Sequence, residues 1–515
     1  MRYKRYKIIG LAMMALMLLC SFAATAADQN NVENRIHQHR SYQLPAESCT
    51  CDGSELCTHL PLIRIDTAGQ YIPGEVINNE EGMLIAYTTT ESGESEILVT
   101  IETVEKEGVW HHASDSADQS SRALLHIRGN SSRKFDKKNY RIKLVEDDTA
   151  VSGNDLPLLG MSPDNDWSLH GPFLDKTLMR NYMWMNISAE IMGYAPNVRF
   201  CEVILNGEYQ GVYVLMETIK ESDYRVNMSD YEEGSAATSY LLQLDSVGKA
   251  VDQDSTDVSL ENYTWYTYQT EFDESSRTGF TILYPQTEYL SQDVVDYIQR
   301  DISRIERGLY SSDMVAGLYD YESELDVDSF VNYYILQEFL AVNDAFSRST
   351  YFYRDIRGTL HIGPVWDYNN VLNNFIRSFS RRGFLLANRG WYGRLMTSED
   401  FVEQVISRYR QLRKGILSDD YLMNYIDEVV EFLGPAIERN DEVWGYSYDA
   451  TLLEPGARRE PDDGETLEEA NPSSYEDAIG RMTDYMLSRA EWLDEHIETL
   501  YQYCHPSKNA SQWLE

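Results

Sequence analysis

The sequence predicts an α+β protein with a β-rich N-terminal region and a helical C-terminal part. Apolar segments typical of strands lie at 61–65, 97–101, 124–127, 140–144, 199–205 and 212–216. Asn206-Gly207 predicts a hairpin between the last two. Apolar residues at helical spacing occur at 176–192, 326–339, 402–413, 420–433 and 475–501. Because most strands precede most helices, an α+β arrangement is favoured over a regular α/β one.

The first 26 residues have the charge and hydropathy pattern of a secretory signal peptide. Four basic residues precede an apolar run at 8–22, which is short for a membrane span of roughly 20 residues. Ala24-Thr25-Ala26 offers small residues to a signal peptidase, so we expect cleavage between Ala26 and Ala27. The expected product is secreted and has no stable membrane span. An uncleaved membrane anchor is the alternative.

The chain is strongly acidic, with 84 Asp and Glu against 44 Lys and Arg and a formal net charge of −40. Loss of the four basic residues of the signal peptide lowers this charge to −44. Such a field repels phosphate backbones, so we expect no nucleic-acid partner. The same field favours divalent cations.

Residues 27–59 form a polar, cysteine-containing leader before a β-rich region at 60–113. Five cysteines remain after cleavage, and they are Cys49, Cys51, Cys57, Cys201 and Cys504. A disulfide is favoured in a secreted chain, because the compartment is oxidising. A metal site is the alternative, although one residue between the first two cysteines is fewer than zinc sites usually have. The odd number leaves at least one thiol free or paired between molecules.

The stretch 338–370 predicts two acids at the ends of a hairpin. Residues 350–353 and 359–362 have strand composition and are separated by turn residues. Asp344 precedes the first strand and Asp367 follows the second, 23 residues later, so we expect them to lie close together. Phosphoryl transfer needs such a pair, with one carboxylate for the proton of the attacking hydroxyl and one for the magnesium ion. The alternative is a turn-capping acid and an unrelated surface acid.

Basic side chains are concentrated near Arg128, Lys138 and Lys143, in an otherwise acidic chain. They could neutralise phosphate, or they could form a solvated basic strand that balances nearby acids. Glu217 and Lys220 end the next hairpin and could pair with these basic residues, with a metal, or with each other at the surface. The sequence contains no Walker A or G-x-G-x-x-G motif to support a standard nucleotide site.

The sequence resembles the CotH kinase family, which is named for a spore-coat protein. The resemblance covers roughly residues 60–502 and assigns a kinase-like domain to 114–503, followed by a tail at 504–515. It is based on RGNSSRKFDKKNYRIKL at 128–144, DWSLHGPFLDKTLMRN at 166–181, NGEYQGVYVLMETIK at 206–220, Asn343-Asp344, and VWDYN at 365–369.

The resemblance implies an atypical protein-kinase-like fold that binds ATP with Mg²⁺ or Mn²⁺. Its implied activity is phosphorylation of Ser or Thr in secreted or cell-surface proteins. By position, Asp344 would be the catalytic acid, and Asp367 and Asn369 would hold the metal. The candidates for binding the cofactor are Arg128, Lys138, Lys143, Glu217 and Lys220.

Two positions depart from the family pattern. Asn369 stands where the family has a second Asp, and Arg348-Ser349 stands where it tends to have Lys-Asn. An amide keeps the ligand oxygen but loses the charge, which weakens magnesium binding. A catalytically weakened pseudokinase that acts as a structural or scaffolding surface protein is therefore the alternative. A carbohydrate-active protein, suggested by paired acids with 37 Tyr and 9 Trp, ranks third.

Overall fold

The computed structural model describes residues 35–79, 84–246, 258–259, 278–378 and 380–504. The predicted signal peptide and its cleavage site, the first part of the leader and the tail beyond Cys504 lie outside these residues. Among the described residues, no helix has both the length and the apolar character needed to cross a membrane.

The β-structure is concentrated in the first part of the described chain. The strands are Cys57–Thr58 (β1), Leu62–Asp66 (β2), Val76–Asn78 (β3), Leu84–Tyr87 (β4), Ile97–Val104 (β5), His111–His112 (β6), Gln119–Ile127 (β7), Tyr140–Val145 (β8), Asp166–His170 (β9), Val198–Leu205 (β10), Glu208–Glu217 (β11), Tyr240–Ser246 (β12), Val258–Ser259 (β13), Thr278–Tyr284 (β14), Thr350–Arg354 (β15) and His361–Ile362 (β16).

Seven strands form a closed barrel in the order β10-β11-β9-β8-β7-β5-β2. The parallel pairing of β2 with β10 closes it, whereas the other neighbours are antiparallel. Alternate residues along each strand face the interior, as Ile97, Val99 and Ile101 do on β5. The predicted β-rich region supplies β2 and β5 to this barrel, and the predicted kinase-like domain supplies β7 to β11.

Helices dominate the C-terminal part. They are Gln38–Ser41 (α1), Arg180–Met192 (α2), Gln292–Leu309 (α3), Ser312–Val315 (α4), Val327–Leu340 (α5), Tyr392–Leu395 (α6), Glu399–Leu412 (α7), Asp419–Leu433 (α8), Pro435–Trp444 (α9), Leu467–Ala470 (α10) and Tyr475–His496 (α11). The predicted mixed α+β class is therefore confirmed. The last predicted helix ends earlier than expected, because the chain tightens into 3₁₀ turns over Ile497–Tyr503.

The helix α5 is the centre of the C-terminal part. The Asp326 side chain caps its N-terminus by accepting a hydrogen bond from the Ser329 N–H. Apolar residues surround the helix on most sides, and it packs against α2, α7 and α11. It therefore provides a rigid start for the segment that carries Asp344.

A second sheet, in the order β13-β14-β12-β15-β16, lies beside α5. Its last two strands form the predicted hairpin, with Phe352 opposite Ile362 and Tyr353 opposite His361. The strand β12 pairs with β15 on the other side, so that Leu244 lies opposite Thr350. This pairing brings a distant part of the sequence to the beginning of the hairpin.

The cysteines of the described residues are all free thiols. No disulfide joins these described cysteines, so the predicted disulfide stays a prediction. Cys201 is buried in the barrel core and Cys504 lies at the end of the helical part. The other three lie together near the N-terminus of the described chain.

Candidate functional site

The hairpin brings the two predicted acids to one narrow cleft. The helix α5 ends at Ala341, which has a φ of 52°, and a tight turn follows in which the N–H groups of Ser347 and Arg348 donate to the Asp344 carbonyl. Asp344 lines the cleft from this turn, and Asp367 lines it from the segment after β16. The predicted proximity of the two acids is confirmed.

Asp367 has an uncommon backbone and a perturbed carboxylate. Its φ of 65° and ψ of 52° lie in the left-handed region, where a non-glycine residue stores strain that is often found at functional sites. Asp367 is exposed at the cleft, although many protein atoms surround its carboxylate. This crowding by protein atoms raises the pKa of Asp367 to about 6, with Arg128 opposing the rise and Asp344 and Asp245 reinforcing it.

Arg128 extends from the end of β7 toward this acid pair. Its guanidinium carbon lies 5.5 Å from the centroid of the Trp366 ring, and Trp366 lines the cleft. Its Nη1 donates to Ser168 Oγ at 2.9 Å, whereas Nε is buried without a hydrogen-bond partner. Burial and Arg141 lower the pKa of Arg128, and Asp367 raises it. The barrel therefore contributes a cation beside Asp367.

Asp245 is a site residue that the sequence did not predict. It lies on β12, and its Oδ2 accepts hydrogen bonds from the Ser349 N–H at 3.1 Å and from Gln243 at 3.0 Å. Its charge contributes to the raised pKa of Asp367, so three carboxylates converge here. Only the pairing of β12 with β15 brings it to the site, and no local motif marks it.

Asn370 supplies an amide oxygen to the cleft beside Asp367, whereas Asn369, the predicted metal ligand, does not line the cleft. Asn369 is buried, and its Nδ2 donates to Asn370 Oδ1 at 3.0 Å. Asn369 Oδ1 is buried and has no hydrogen-bond partner, while Asn370 lines the cleft. Carboxylate and amide oxygens are the ligands that Mg²⁺ and Mn²⁺ prefer, so this donor set fits such an ion.

One of the two departures from the family pattern, Arg348-Ser349, lies at the cleft. Arg348 and Ser349 both line it. Arg348 Nη1 lies 3.8 Å from Asp344 Oδ1, so a cation stands beside the predicted catalytic acid. At this distance and exposure the pair is weak, and the arginine can move to another anion.

The other predicted cofactor-binding residues do not line this cleft. Lys138 pairs with Glu75 at 3.4 Å, and Lys220 pairs with Asp164 at 3.0 Å. Glu217 is buried and accepts hydrogen bonds from the Asn197 N–H and the Tyr194 hydroxyl. Lys143 is exposed on β8. Their roles in cofactor binding remain predictions.

Comparison with known proteins identifies a family. The family described as CotH kinase protein matches residues 125–493, which is more than half of the chain. The chain is also 20% identical over 328 residues to the Inner spore coat protein H of Bacillus subtilis (strain 168), covering 58% of this chain and 79% of that protein. The matched region contains the cleft, the second sheet and most of the barrel.

Proposed function

Because the chain belongs to the CotH kinase family, we propose that it transfers the γ-phosphate of ATP to Ser or Thr hydroxyl groups of exported or cell-surface proteins. The observation that carries this proposal is the shared cleft of Asp344 and Asp367, with the cation of Arg128 beside it. We also propose that the barrel and the helical part together form an atypical kinase-like fold. The spore-coat relative supports action at an outer surface.

Asp344 would accept the proton of the substrate hydroxyl. The oxygen of that hydroxyl forms a bond to the γ-phosphorus while the bond between the γ-phosphorus and the ADP oxygen breaks. Asp367 and Asn369 would hold Mg²⁺ or Mn²⁺, which supplies charge neutralisation for the phosphate oxygens. Arg128 orients the phosphates from the barrel side. Asp245 adds the negative charge that Asn369 lacks.

The test uses purified residues 27–515 with labelled ATP and either Mg²⁺ or Mn²⁺, reading both self-phosphorylation and transfer to dephosphorylated casein. We expect Asp344→Asn to reduce transfer at least about 100-fold, because it removes the proton acceptor while preserving shape. Asp367→Asn is expected to abolish both transfer and the metal-dependent thermal stabilisation by ATP. Asp355→Asn, at the turn of the same hairpin and outside the cleft, is the matched control and should retain both.

The pseudokinase is the second candidate, and the neutral amide of Asn369 favours it. It predicts thermal stabilisation by ATP with a divalent metal but no phosphate transfer. In that case Asn369→Asp should strengthen metal-dependent binding, because it restores the missing charge. If wild-type protein neither transfers phosphate nor is stabilised by ATP, both the kinase and the nucleotide-binding pseudokinase are excluded.

A further inference from the structure

Three thiols and one imidazole converge outside the cleft. Cys49, Cys51, Cys57 and His112 each offer one ligand atom, and these atoms all lie within 4.8 Å of one another. Cys49 Sγ lies 3.3 Å from His112 Nε2. Around a tetrahedral zinc ion, two sulfur ligands lie about 3.8 Å apart and a sulfur and a nitrogen ligand about 3.5 Å apart, given zinc–sulfur bonds of about 2.3 Å and zinc–nitrogen bonds of about 2.0 Å. Small side-chain adjustments therefore suffice for tetrahedral geometry.

The fold aligns two of these ligands directly. Cys57 on β1 is paired with His112 on β6, so their side chains leave the ladder on the same face. The chain before β1 turns back through Asp52, whose Oδ1 accepts from the Ser54 N–H at 2.9 Å. This turn brings Cys51 to the same point. Ligands from two separate parts of the sequence thus meet at one site.

Neighbouring groups hold two of the ligands in place. The Cys51 N–H donates to Cys49 Sγ at 3.4 Å. His112 Nδ1 lies 3.5 Å from Asp115 Oδ2, on the ring side away from Cys49. The backbone N–H of His112 donates a hydrogen bond to Asp115 Oδ2 at 2.7 Å, which fixes the carboxylate. A carboxylate behind a histidine is the usual means of orienting a zinc-ligating imidazole.

The surrounding segment has no apolar core of its own, although hydrogen bonds such as that from Trp110 Nε1 to the Glu47 carbonyl link it to the chain before β6. None of residues 43–57 is buried, so this part of the leader has no apolar core. Small segments of this kind are commonly held by a metal or by disulfides. A disulfide would use only two of the cysteines and would not explain why His112 lies beside them. Three cysteines and one histidine make a complete ligand set for structural zinc.

We propose that Cys49, Cys51, Cys57 and His112 bind a structural zinc ion that fixes the leader to the β1–β6 pair. The ion completes four-coordination with protein ligands, so it leaves no open position for catalysis. The site is independent of the proposed kinase activity, and its ligands lie in the leader and in the β-rich region, before the family match begins at residue 125.

The test is metal analysis of the full chain, purified without chelator, together with cobalt substitution. We expect about one zinc per chain, and Co²⁺ in its place should give the thiolate charge-transfer and strong d–d absorption of a tetrahedral site. Cys57→Ser and His112→Gln should each lose the bound metal. Asp115→Asn should weaken zinc binding about 10-fold to 100-fold. Cys201→Ser and Cys504→Ser are controls that should retain it.

Intact-mass measurement after thiol alkylation separates the competing outcomes without depending on the folding of any variant. Wild-type protein with zinc should have all three leader cysteines available for alkylation once the metal is removed by a chelator. Two of them blocked as a disulfide, with no zinc bound, would overturn the proposal. Zinc retained at full stoichiometry in both Cys57→Ser and His112→Gln would also overturn it.

Discussion

Arg128 is a barrel side chain that approaches Trp366 and Asp367. We expect Arg128→Gln to weaken ATP binding about 10-fold to 100-fold, because it removes a charge-assisted hydrogen bond of about 1.5–3 kcal/mol. Isothermal titration calorimetry with ATP and Mg²⁺ measures the change. Arg122→Gln is the control, since Arg122 lies on the same strand but pairs with the exposed Asp148. If both variants bind ATP with the same affinity, Arg128 does not contribute to the nucleotide site.

The lowered pKa of His37 makes the stability of the folded protein depend on pH. Burial, together with the charges of Arg40 and His39, lowers the pKa of His37 to about 4, although Glu428 opposes this shift. The folded state therefore disfavours the protonated imidazole. The unfolded chain, with a pKa near 6.5, binds the proton more readily, so this histidine reduces stability as the pH falls from about 6.5 towards 4.

We expect His37→Gln to lessen the loss of stability on acidification. Between pH 7 and pH 5 the free energy of unfolding should fall by about 1–2 kcal/mol less in the variant than in the wild type. Urea denaturation at the two pH values measures this difference. His496→Gln, at an exposed position at the end of α11, is the control. An unchanged pH dependence in His37→Gln would contradict the assignment.

At the scale of elements, a buried ion pair fastens α11 to α5. Arg489 Nη2 lies 2.7 Å from Glu338 Oε2, and both side chains are almost completely buried. Glu338 also accepts hydrogen bonds from the N–H groups of Leu385 and Leu386. Arg489 also donates to the Gly383 carbonyl at 2.7 Å. The pair therefore holds two helices and the 381–386 segment together.

We expect Glu338→Gln to destabilise the protein by about 3–5 kcal/mol, because it leaves the buried arginine uncompensated. The double variant Glu338→Leu with Arg489→Met should lose less stability than Glu338→Gln, since it removes both charges. Urea denaturation measures both. Arg481→Gln on the same helix breaks only a partly exposed pair with Asp477 and should cost less than about 1 kcal/mol. A double variant that is less stable than Glu338→Gln would contradict this prediction.

The sequence predicted elements and contacts that depend on local patterns. Asn206-Gly207 predicted the turn between β10 and β11, and the turn residues after Tyr353 predicted the hairpin that unites Asp344 with Asp367. Asp245 could not be predicted, because its position depends on pairing between strands about 100 residues apart. His112 was missed for the same reason, since only the β1–β6 pairing brings it to the cysteines.

At the scale of the whole molecule, α9 joins the helical part to the barrel. Arg439 on this helix pairs with the buried Glu202 on β10 at 2.8 Å. Asn440 Oδ1 accepts from Lys137 Nζ at 2.7 Å and from the Val212 N–H at 3.2 Å. Because Arg128 belongs to the barrel and Asp367 to the helical part, this junction sets the geometry of the proposed site.

The junction leaves no space at Gly211. A Cβ atom there would lie 2.6 Å from Asn440 Oδ1 and 3.0 Å from Trp444 Nε1. Gly207 has a similar positive φ, but a Cβ atom there meets nothing within 4 Å. Alanine at either position therefore strains the backbone similarly, and only Gly211→Ala pushes α9 away from β11.

We expect Gly211→Ala to lower the free energy of unfolding by about 1–3 kcal/mol more than Gly207→Ala does, because overpacking adds to the backbone strain. It should also weaken ATP binding, because displacing α9 shifts the barrel cation relative to the acid pair. Urea denaturation and calorimetric titration with ATP measure the two effects. If both alanine variants lose the same stability and retain wild-type affinity, the contact between α9 and β11 does not control the geometry of the cleft.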